Sequence, residues 1–82
     1  MKYDIHNRRT GAVQFTAEID CDEATPTSIK IGLAVRWGCK TGASLVGARL
    51  DGASLVRASL VRARFDGALL DGASLVGALL DG

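Results

Sequence analysis

Residues 42–82 read GASLVGARLDGASLVRASLVRARFDGALLDGASLVGALLDG, with a leucine or phenylalanine at every fifth position but two extra leucines. From Ala43 the stretch divides without a gap into eight pentads: ASLVG, ARLDG, ASLVR, ASLVR, ARFDG, ALLDG, ASLVG and ALLDG. Neither ordinary period accommodates this spacing. A step of five residues turns an α-helix by about 500°, about 140° past a full circle, so the large residues scatter around every side. Six glycines in the stretch, at Gly47, Gly52, Gly67, Gly72, Gly77 and Gly82, weaken a helix further. A strand fails because five is odd, and successive leucines face opposite sides of the sheet.

A chain that changes direction every five residues does fit. Its large residues then all point inward: Leu45, Leu50, Leu55, Leu60, Phe65, Leu70, Leu75 and Leu80. The small residues two places earlier can share that narrow interior: Ala43, Ala48, Ala53, Ala58, Ala63, Ala68, Ala73 and Ala78. Glycine closes each pentad except at Arg57 and Arg62, and supplies a corner that a side chain would obstruct. Successive turns of such a chain stack by backbone hydrogen bonding at about 4.7–4.9 Å. No single pentad can bury its apolar side alone, which is the logic of a solenoid.

This run of alanine, a polar residue, leucine or phenylalanine, and two variable places resembles the pentapeptide repeat family, over 40 of the 82 residues. The resemblance implies a mainly β fold, a short right-handed quadrilateral β-helix with four pentads per coil. Two coils follow, with Leu45 above Phe65, Leu50 above Leu70, Leu55 above Leu75 and Leu60 above Leu80. The place before the large residue departs from the family's usual aspartate or asparagine, being serine, arginine or leucine throughout. Serine bonds the local backbone more weakly than an acid or amide, and Leu69 and Leu79 cannot do so at all, so a less stable coil is expected.

Residues 1–42 are unlike residues 43–82 and read as an N-terminal cap. KYDIHN (2–7) places Tyr3 and Ile5 on one side of a short strand. AVQFTAEID (12–20) alternates Val13, Phe15, Ala17 and Ile19 with polar residues, a half-buried strand, and Gly11 suits the hairpin turn. Thr25 as N-cap and Pro26 in the first turn predict a helix reaching Lys40 and stopping at Gly42. Ile29, Leu33 and Trp37, four apart, are expected to form its capping face. The open end of a β-helix exposes leucines and unpaired backbone, and hairpin and helix are placed to cover it. This half also resembles the leader of some phage and prophage pentapeptide repeat proteins.

Composition narrows the function. Net charge is +1, from 10 basic and 9 acidic side chains, which offers no field for nucleic acid or an anionic membrane. MKYDIHNRR has no apolar stretch of signal-peptide length, and no segment approaches a membrane span, so a cytoplasmic setting is expected. Cys21 and Cys39 are too few and too far apart for a zinc motif, and read as reduced thiols. His6 beside Asp4 reads as a solvated surface pair, and Ser44, Ser54, Ser59 and Ser74 follow the repeat rather than a base. Asp51 and Asp71 are equivalent repeat positions rather than an acid–base pair. No cofactor, metal or catalytic site is expected, and no enzyme.

An interaction or structural module remains. The last pentad ends at Gly82 with nothing after it, so the second coil is expected either to pair with another chain, as in a homodimer, or to continue in a longer solenoid. Val56, Val76, Leu69 and Leu79 add outward apolar surface for a protein partner or a second copy. The family's best-known activity, imitation of duplex DNA to inhibit or protect against a type II topoisomerase, is the alternative. It needs a long, strongly negative rod. Here four aspartates balance four arginines in the repeats, and two coils span only about 10 Å. Arg57 and Arg62 at neighbouring corners, amid that balance, make a mixed surface rather than a basic stripe for nucleic acid.

Overall fold

A computed structural model of the chain describes residues 1–60 and 63–78. Its regular elements are β1 (Lys2–His6), β2 (Val13–Glu18) and α1 (Thr27–Thr41). The hairpin is antiparallel, pairing Lys2 with Glu18, Asp4 with Thr16 and Ile5 with Phe15. The register slips between Ile5 and His6, where His6 pairs with Val13 and leaves Gln14 unopposed. Asn7 ties the turn: its Oδ1 accepts from the Arg9 and Thr10 amides at 2.9 and 3.1 Å, and Gly11 adopts φ 74°. Ile5, Ala17 and Ile19 are buried, but Val13, expected on the same face, is 49% exposed beyond the slip.

The helix starts one residue later than the sequence suggests. Pro26 stands at the N-cap and has no side chain to cap with, while Thr25 turns back to Asp22, its amide donating to the Asp22 carbonyl at 3.2 Å. At the other end Gly42 takes the left-handed conformation, φ 83°, and closes the helix. The docking face differs from the expected one. Ile31, Gly32, Ala34, Val35 and Gly38 are buried, Leu33 and Trp37 are half-buried, and Ile29 is 44% exposed. The reason is steric: α1 lies against main chain, so its small-residue face goes inward. A Cβ on Gly32 would come within 2.0 Å of the Ser54 carbonyl oxygen. Trp37 instead stacks on Phe15, with centroids 5.9 Å apart.

Each described pentad turns in the same way. The alanine amide donates to the carbonyl of the large residue three places earlier, as in Ala53 to Leu50 and Ala73 to Leu70, at 3.1 and 2.9 Å. The third residue of each turn has positive φ, as at Gly52 (76°) and Gly72 (73°), which is the requirement of a type II turn. Arg57 holds the same conformation with a side chain, at φ 59°.

Pentads twenty residues apart are joined through their backbones. Gly47, Leu50, Gly52, Leu55 and Arg57 donate to Asp66, Leu69, Asp71, Ser74 and Val76, all at 2.8–2.9 Å. Leu69 and Ser74 donate back to Ala48 and Ala53. Residues 43–60 and 63–78 thus form two tiers. The pairing is sparse: Arg49 with Leu69 and Ser54 with Ser74 are isolated parallel bridges, and neither grows into a strand. Among the described residues the expected mainly β character is therefore not met, since 15 residues are helical against 5 and 6 in strands. A turn every fifth residue leaves too little straight chain for a ladder.

The close approach at Gly32 gives a sign test. Glycine-to-alanine changes inside helices ordinarily gain about 1 kcal/mol. Gly32→Ala is expected to lose about 1–3 kcal/mol instead, because the added methyl meets main chain that cannot step aside. Urea denaturation of both proteins measures this, and a stabilised variant would contradict the packing described.

Candidate functional site

The first tier is closed on both sides. Leu45, Leu50, Leu55 and Leu60 are at most 1% exposed, and Ala48, Ala53 and Ala58 at most 2%. The N-terminal half supplies its cover through main-chain groups. The Arg49 amide donates to the His6 carbonyl at 2.8 Å, and the Ser54 amide to the Ser28 carbonyl in the first turn of α1 at 2.9 Å. The Arg8 amide donates to the Gly47 carbonyl at 2.8 Å. Gln14, the residue left over by the register slip, donates from Nε2 to the Ser44 carbonyl and is braced by Asn7. Arg36 reaches from α1 to the Val56 carbonyl at 2.9 Å. Hairpin and helix stand where a preceding tier would.

The second tier is covered on one side. Phe65, Leu70 and Leu75 are only half-buried, as are Ala63, Ala68, Ala73 and Ala78; Leu80 lies outside the described residues. Leu55, Leu60, Ala63, Phe65, Leu70 and Leu75 line an apolar hollow of about 240 Å³. The backbone repeats the asymmetry. First-tier amides at Leu50 and Leu55 reach the second tier, yet among the described residues Leu70 and Leu75 have no backbone acceptor. The carbonyls of Ala68 and Ala73, equivalent to the accepting Ala48 and Ala53, likewise receive no described backbone donor. One edge therefore carries half-exposed apolar side chains with donors and acceptors interspersed.

Of the outward apolar residues Val56, Val76, Leu69 and Leu79, three lie among the described residues. Val56 and Val76, 38% and 71% exposed, lie one above the other on a single side. Leu69 is half-buried and sits on the preceding side, and Leu79 lies outside the described residues.

The polar groups divide between structural work and solvent. Asp4 accepts from Thr16 Oγ1 at 2.7 Å, and His6 serves through its carbonyl, so the strand's histidine and aspartate are not tied to each other by a described hydrogen bond. Asp51 pairs with Arg49 at 3.3 Å and Asp66 with Arg64 at 3.4 Å. Both pairs are exposed and worth little to stability. Asp51 is thereby engaged with its own pentad rather than with Asp71. Tyr3 lines a shallow cleft with Asp4, His6, Arg49 and Asp51; burial, and then the Asp51 carboxylate, raise its phenol above the usual range. Cys21 and Cys39 are free, and among the described residues no three His, Cys, Asp or Glu side chains are grouped as a metal site.

Cover by hairpin and helix was expected from the sequence; that the His6 and Ser28 carbonyls supply it was not, because carbonyl positions leave no mark on residue identity. A trace of the docking face does exist, in the small residues Gly32, Ala34 and Gly38 of an otherwise bulky helix.

Two measurements follow from this burial. Leu50→Ala is expected to cost about 2–5 kcal/mol, and Leu70→Ala distinctly less at low protein concentration, by urea denaturation. Burial raises the Cys39 thiol, so on alkalinisation the unfolded chain ionises first and this group's stabilising contribution falls as pH rises. Iodoacetamide at mildly alkaline pH should accordingly alkylate Cys39 more slowly in native protein than in urea, as peptide mapping can show.

No curated protein and no solved structure matches the chain. The matched family model begins at residue 43, so the phage-type leader suggested for residues 1–42 gains no support. Residues 43–82 match the family model described as pentapeptide repeats, in eight copies, and are similar to that family.

Proposed function

We propose that this chain is a non-enzymatic protein-interaction module whose repeats form two coils of a right-handed quadrilateral β-helix, and that its partner is a second copy bound through the uncovered edge of the second tier. The bridges between Arg49 and Leu69 and between Ser54 and Ser74, each spanning four pentads of sequence, support four pentads per coil. One observation carries the choice of partner. The Leu70 and Leu75 amides and the Ala68 and Ala73 carbonyls share one edge, so that edge holds both halves of each hydrogen bond it requires. A surface offering donors and acceptors together can pair with itself about a twofold axis. Closure would also cover Phe65, Leu70 and Leu75, burying apolar area that supports association.

Imitation of duplex DNA is the weaker reading. Arg49 and Arg64 neutralise Asp51 and Asp66 locally, which breaks up the negative surface such imitation needs. The two free thiols suit a reducing compartment, and a cytoplasmic setting is part of this proposal. No helix among the described residues is long and apolar enough to cross a membrane.

Light scattering across a concentration series, with hydrogen exchange on the same samples, tests the pairing. The expected result is a concentration-dependent dimer in which the Leu70 and Leu75 amides gain protection as it forms, while Leu50 and Leu55 are protected throughout. A folded monomer at every concentration, with Leu70 and Leu75 exchanging freely, would rule it out.

A further inference from the structure

Among the described corners, one breaks the rule that governs the others. Gly47, Gly52, Gly67, Gly72 and Gly77 occupy the left-handed corner position at φ 70–76°, whereas Arg57 occupies it at 59°. A side chain there carries strain that glycine avoids. Strained residues persist where their side chain is used.

The surroundings show what this side chain can do. The Arg57 amide is anchored to the Val76 carbonyl at 2.8 Å, which fixes the corner. Its Cγ lies over Gly77, where a Cβ would come within 3.2 Å, so the tier below leaves room for the arginine stem. Arg36 brings a second guanidinium from α1, bonded to the carbonyl of the adjoining Val56. Val56 and Val76 are exposed beside them. The charges differ from those elsewhere in the repeats. Arg49 and Arg64 each take an aspartate two residues on, but the residue two on from Arg57 is Ser59. Among the described residues neither Arg36 nor Arg57 makes an ion pair.

We propose that this corner recognises an acidic peptide segment of a partner protein, with carboxylates on Arg36 and Arg57 and an apolar side chain on Val56 and Val76. Charge complementarity selects the acidic residues, through charge-assisted hydrogen bonds to guanidinium. The exposed valines favour a peptide over a phosphodiester backbone, which has no apolar group to lay on them. The site is on the side wall, and it stands whether or not the second tier pairs end to end.

Fluorescence anisotropy with a labelled peptide of alternating glutamate and leucine provides the test. Arg57→Gly is the informative variant, because glycine suits the corner's φ and the denaturation midpoint should rise rather than fall. Wild type is expected to bind with an affinity that weakens with salt. Arg57→Gly and Arg36→Ala should each lose about tenfold or more, and Arg49→Ala should bind as wild type. No binding by wild type, undiminished binding by a folded Arg57→Gly, or tighter binding to a DNA duplex than to the peptide would each overturn the proposal. Light scattering on the same samples reports the end pairing separately.

Discussion

Each tier of pentads needs a layer on both of its sides, because its backbone groups point alternately toward one neighbour and the other. Unpaired buried peptide groups are costly, so this requirement governs the rest of the molecule. Leu50 and Leu55 use their amides to hold the second tier, while Arg49 and Ser54 direct theirs away from it. The hairpin and helix exist in the positions they do because His6 and Ser28 present carbonyls to those two amides. The N-terminal half is thus an imitation of a tier assembled from unlike parts, a strand end on one side and a helix start on the next.

Close approach follows from that requirement. The carbonyls a helix leaves free are those of its last turn, so the Ser54 amide reaches the Ser28 carbonyl in the first turn only by bringing main chain against the side of α1. Gly32 makes room for the Ser54 carbonyl, and Gly38 makes room for the Phe15 ring. Ile31 and Val35 share the buried face with these glycines, while Ile29 is exposed and Trp37 stands at the margin, stacked on Phe15.

The same physics separates the two tiers in burial. Where a layer covers the backbone, the leucines beneath are sealed; where none of the described residues does so, Phe65, Leu70 and Leu75 are half open. The walls show a parallel division of charge. Arginine and aspartate placed two residues apart neutralise each other on two sides, whereas the pentads 53–57 and 73–77 contain no aspartate, and Arg36 reaches the first of them from the cap. The half-open edge of the second tier and the wall bearing Arg36, Arg57, Val56 and Val76 are distinct surfaces with distinct chemistry.

The five-residue cadence, the inward alanine and leucine columns and the glycine corners were legible in the sequence, because each follows from local turn geometry and residue size. The hairpin was legible for the same reason, through its alternation and Gly11. The helix was legible in extent and misread in orientation: the 29/33/37 spacing marks one stripe of large residues, but docking against main chain selects the face that carries Gly32, Ala34 and Gly38, together with Ile31 and Val35. The outward valines could be named from the repeat, yet not that Arg36, from another element, bonds the Val56 carbonyl next to Arg57. Local sequence determined how each pentad turns. Which layer covers it, which helix face meets it and which charges gather at its corner were decided only by tertiary structure, because those depend on groups twenty or more residues away brought within hydrogen-bond reach.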